Sequence, residues 1–116
     1  MTARQQALVN LLEFTTDIDV LTKTLRQFPW DAESTLAILT RRQLAKVLRR
    51  FQEGHLTSKE LEAWANAIEG REDIDFESGY EDRLQETIYC LANPLLTEPL
   101  TKENVGKLLK AIESNL

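Results

Sequence analysis

The chain has 116 residues, 42% hydrophobic and 28% charged, the balance of one ordinary globular domain able to bury a core. Its 14 Lys and Arg against 19 Asp and Glu give a net charge of −5, which opposes binding to nucleic-acid phosphates and to anionic membrane surfaces. With one cysteine, Cys90, there is no intrachain disulfide, and one His beside one Cys falls short of the four ligands of a structural zinc site.

Ala7, Leu8, Leu11, Leu12 and Phe14 fall at helical spacing, predicting a helix over 3–14 with Thr2 as its N-cap. Residues 15–17 break it. Asp17 is placed to cap a second helix with the stripe Val20, Leu21, Leu25 and Phe28, closed by Pro29. Pro29-Trp30-Asp31 reads as a turn, and residues 32–39 fit a short strand or one helical turn. Thr40-x-x-Gln43 and Thr57-x-x-Glu60 are capping boxes, in which two side chains satisfy N–H groups that a helix start leaves unpaired. Each precedes an i, i+3, i+4, i+7 stripe: Leu44, Val47, Leu48 and Phe51, then Leu61, Trp64, Ala65 and Ile68. Gly54 and Gly70 stop these helices. Residues 73–77 alternate acid and apolar, consistent with an extended segment that turns Ile74 and Phe76 inward. Leu84, Ile88 and Leu91 stripe another helix, closed before Pro94. Residues 94–100 form a loop, and Thr101 caps a last helix with Val105, Leu108, Leu109 and Ile112 inward. The expected fold is all-α: a single-domain bundle of about five to six helices spanning 1–116.

Charge is unevenly spread along these elements. Residues 41–59 carry Arg41, Arg42, Lys46, Arg49, Arg50 and Lys59 against one acid, Glu53. Residues 60–86 carry ten acids against Arg71 and Arg83. Two readings follow: the acids pair with the basic stretch or face water, or they form a docking face for a cationic partner. Glu69, Glu72 and Asp73 sit at the C-terminal end of a helix, where the dipole disfavours anions. Glu69, Glu72, Asp73, Asp75, Glu77, Tyr80, Glu81 and Asp82 are therefore the candidate partner-binding residues, with Phe76 and Trp30 as further apolar anchors.

Catalysis and metal binding find little footing. Asp73-x-Asp75-x-Glu77 starts like a calcium loop, but Ser78 stands where that loop needs glycine and Leu84 where it needs a bidentate acid. His55 follows Gly54 without a nucleophile motif nearby, and four glycines make no phosphate-binding loop. Neither an enzyme nor a cofactor is expected. Residues 43–68 have the outline of a helix-turn-helix, yet the would-be reading helix bears Glu60, Glu62 and Glu69, so nucleic acid is not the expected partner. No apolar run reaches the roughly 18 residues of a membrane span, and the first residues hold no apolar signal core. A cytoplasmic protein without membrane contact is expected.

The run Val47-Leu-Arg-Arg-Phe-x-x-Gly54, then Leu61-Glu-Ala-Trp64-Ala-x-x-Ile-Glu69-x-Arg71-Glu-Asp73-Ile, then Leu91-Ala-Asn-Pro94, resembles a group of small bacterial proteins. In size, acidity and helicity the chain also resembles the immunity proteins of bacterial toxin–immunity pairs, such as those guarding against contact-dependent growth inhibition toxins and colicins. That resemblance implies a basic protein partner, a cognate toxin domain that is often a nuclease, neutralised through an acidic face. A helical adaptor or oligomerisation module is the alternative, and a small regulator touching RNA through Arg41–Arg50 is a third.

Overall fold

The computed structural model describes residues 1–114. Capping geometry fixes where most helices start. The first helix, α1 (Ala3–Glu13), opens on a full capping box in which Thr2 and Gln5 bond reciprocally. α2 (Ile18–Leu25) follows a short break. β1 (Ala37–Leu39) leads into α3 (Arg41–Gln52), whose Thr40–Gln43 box is formed, as is the Thr57–Glu60 box of α4 (Ser58–Ile68). β2 (Ile74–Phe76), α5 (Glu81–Ala92) and α6 (Lys102–Glu113) complete the order, with Thr101 capping α6. Gly54 and Gly70 take φ of 84° and 83° after α3 and α4, a left-handed conformation that costs a side-chain-bearing residue about 1–2 kcal/mol.

Six helices and one two-stranded sheet among the described residues make an all-α bundle. α3 packs on α6, α4 on α5 and α1 on α2. Trp64 lies at the centre, fully buried; its Nε1 donates to Leu11 O at 2.7 Å and its ring stacks on Phe14. Leu44, Val47, Leu48, Leu61, Ile68, Leu84, Ile88 and Ile112 are buried with it, as their spacing requires. The radius of gyration, 13.4 Å, matches the roughly 13 Å of one folded domain of this length.

Three expectations are corrected. Val20 is 52% exposed, and Ile18 joins Leu21 and Leu25 on the buried stripe of α2 instead. That helix ends at Leu25, ahead of Pro29, so Phe28 packs from a turn. Leu108 is only half-buried, because Val105 and Ile112 face the core of α6 more directly. The two ambiguous segments resolve together: β1 and β2 pair in parallel, with Ala37, Ile38 and Leu39 opposite Ile74, Asp75 and Phe76. Asp73 O accepts from Ala37 N, and Leu39 O accepts from Glu77 N. Neither segment carries a long strand signal. Each becomes a strand because the other satisfies its backbone groups.

Candidate functional site

Two of the eight candidate residues are structural. Asp73, the last residue of the link from α4 to β2, is fully buried, which corrects its expected place on a docking face. The Arg71 side chain, 3% exposed, donates to Oδ1 through Nε and to Oδ2 through Nη2, both at 2.9 Å, and Arg4 Nε donates to Oδ2 at 3.0 Å. The two arginines also donate to the carbonyls of Pro29 and Asp31, tying α1, the Trp30 turn and the β2 approach around one carboxylate. Burial alone would push the Asp73 carboxyl up. The bonds and charges of Arg71 and Arg4 outweigh it and hold the group below the ordinary carboxylate range.

Glu77 is the second. Its carboxylate accepts from Arg41 Nε at 3.1 Å, from Nη2 at 2.8 Å and from the Arg41 backbone N–H at 2.9 Å. It thus seats an anion on the positive end of α3. The hydrogen bonds from Arg41 hold the Glu77 carboxyl down. The same guanidinium lies 3.7 Å over the Tyr80 ring, leaving Tyr80 half-buried at the start of α5.

Of the other acids, Glu69 is half-buried and the rest are exposed. Glu69, Glu72, Asp75, Glu81, Asp82 and Glu86 form no ion pair among the described residues. The basic stretch is spent elsewhere: Lys46 on Glu13, Arg49 on Glu113, and Arg50 on the carbonyl of Phe14. Arg41 pairs with Glu77 and the charge of Arg42 adds to it, so pairing with the basic stretch accounts for Glu77 and for none of these six.

Two grooves gather most of them, one on each side of the first turn of α5. A cavity of about 440 Å³ lies between the end of α4, β2 and α5, with Glu69, Asp75 and Glu81 around it and Phe76 and Tyr89 as its aromatic groups. A larger one of about 820 Å³ runs between α5 and α6, lined by Tyr80, Glu81, Asp82 and Glu86, with Arg83 as its cation, bonded to Ala111 O. Glu81 lines both. α5 lacks a side-chain N-cap, so Glu81 and Asp82 in its first turn also complement the helix dipole. Glu69 accepts from Asn93 Nδ2, which eases an acid at the end of α4. Glu72 lines neither groove. Its N–H donates to Trp30 O, placing it beside that exposed indole.

Nothing in the sequence singles out Tyr89. It falls one residue after the inward Ile88, so period alone marks it as solvent-facing, and only the fold places it in an acidic groove. No three His, Cys, Asp or Glu groups gather to hold a metal ion among the described residues. The would-be calcium ligands Asp73, Asp75 and Glu77 turn to separate partners. Burial, with Glu86 and Glu98 nearby, pushes the Cys90 thiol up, away from the thiolate a nucleophile needs. No described helix is long and apolar enough to cross a membrane. No family model, curated protein or solved structure matches the chain.

Proposed function

We propose that this chain is an immunity-type binding protein, which neutralises a cationic toxin domain by covering it with the acidic face around α5. The observation that carries the reading is the set of six carboxylates, five exposed and Glu69 half-buried, that have no cationic partner among the described residues. Clustered like charges repel, and a basic surface relieves that cost. A toxin that cleaves nucleic acid carries such a surface, because it binds phosphate. Carboxylates take the place of phosphates opposite its Arg and Lys, and the acidic field speeds encounter. Phe76, Tyr89 and Trp30 supply the apolar anchors that affinity needs. The action is binding, with no reaction catalysed by this chain.

The test is co-expression with any toxin domain that its genomic neighbourhood encodes. Growth should be restored by the wild-type chain and lost again with Asp75→Lys/Glu81→Lys. Full protection by the folded double variant would overturn the face, and failure of soluble wild-type protein to protect would overturn the function. The competing reading, a helical adaptor or oligomerisation module, draws on Leu95 and Leu96, which stand in solvent after α5. It predicts concentration-dependent self-association in sedimentation velocity, lost in Leu95→Ser/Leu96→Ser.

A further inference from the structure

β2 is paired on one side only. The bonds from Ala37 N to Asp73 O and from Glu77 N to Leu39 O fix which groups face β1. By the alternation of a parallel ladder, the N–H and C=O of Ile74 and Phe76 then point the other way. The 440 Å³ groove lies on that side: Ile74, Asp75 and Phe76 all line it, and no β1 residue does. Consecutive strand residues put their side chains on opposite faces, so a groove touched by all three runs along the strand's edge. One edge group is already occupied: Phe76 N–H donates to Asp75 Oδ1 at 2.8 Å.

Resting on the partner-binding reading above, we infer that this edge accepts an extended, Lys- or Arg-bearing segment of the cationic partner as a third strand. Backbone bonds to Ile74 and Phe76 give the segment its register. Glu69 and Glu81 flank it and face its cations. Asp75 makes the edge selective. A neutral or acidic strand must pull the Asp75 carboxylate off Phe76 N–H and leave it to water alone. A Lys or Arg draws the carboxylate to itself and frees the N–H. The guard also keeps the edge from pairing with other copies of this chain, a hazard of any open edge. The chain's own basic run, Arg41–Arg50, is helical, so a second copy does not supply the segment.

Three capped hexapeptides test this by amide NMR on the intact protein: one alternating Lys and Val, one with Glu replacing Lys, and one Lys–Val peptide N-methylated at alternate residues. The Lys–Val peptide should shift the Ile74 and Phe76 amides and slow exchange of Ile74 N–H. N-methylation should weaken binding at least about tenfold, a loss of about 1.4 kcal/mol, and the Glu peptide should leave both amides unmoved. Equal binding of the N-methylated peptide, or shifts at Glu69 and Glu81 without Ile74 and Phe76, overturns strand addition while the partner-binding reading stands. No shift at millimolar Lys–Val peptide also overturns it. Failure of growth protection is read separately and strikes the reading itself. In Asp75→Ala the preference for Lys over Glu should shrink, and an undiminished preference refutes the guard.

Discussion

Asp73→Asn removes the one carboxylate that two buried or half-buried guanidiniums share. Its oxygens lie 2.9–3.0 Å from Arg71 and Arg4, and Asp73 has no exposure to water. A neutral amide leaves two cations facing each other without an anion. Breaking a buried pair by removing one partner costs about 3–5 kcal/mol. Unfolding entropy near 2.1 cal/mol/K per residue gives about 0.24 kcal/mol/K for this chain, so each kcal/mol moves Tm by about 4 °C. The expected drop is about 12–20 °C, read by circular dichroism melts at pH 7. The pH dependence follows from the lowered carboxyl. Its contribution is full above the unfolded-chain value of about 3.9 and is lost as pH falls through the folded value. The gap between wild type and variant should therefore be widest near neutrality and narrow below about pH 4. A variant melting within about 2 °C of wild type at pH 7, with no change in the gap on acidification, would refute the clasp.

Trp64→Ala should cost about 3–5 kcal/mol in denaturant unfolding, from the cavity left against Phe14 and the lost bond to Leu11 O. Glu77→Gln should lower Tm by less than Asp73→Asn, because its pair with Arg41 is partly open to solvent; a larger drop would place the main electrostatic anchor at α3. Asp75→Lys/Glu81→Lys should lower Tm by only a few degrees, since these exposed acids form no ion pairs and lose only the α5 dipole and local backbone contacts. The same variant should slow association with the cationic partner most at low salt, before screening over about 10 Å at 0.1 M sets in; stopped-flow rates across a salt series check this.

Sequence alone determined the helices and most of the core. Thr40–Gln43, Thr57–Glu60, Gly54 and Gly70 act within a few residues of themselves, so their roles are readable without knowing what packs above them. The stripes of α3, α4 and α5 likewise follow from helical period. In α2 the buried stripe begins at Ile18, and starting it at Val20 rotates the inward face away from the core. Only the tertiary structure decided the strands and the fate of the acids. β1 and β2 exist through each other, and no local pattern in 32–39 reveals a partner in 73–77. Asp73 and Asp75 are the same residue type on one short acidic run, yet one is buried and the other guards an edge. Arg71, two residues away, and Arg4, which reaches Asp73 from the far end of the sequence, together hold that carboxylate inside. Charge acts through space, so a sequence displays which acids exist, while the fold chooses which are consumed inside and which remain in solvent.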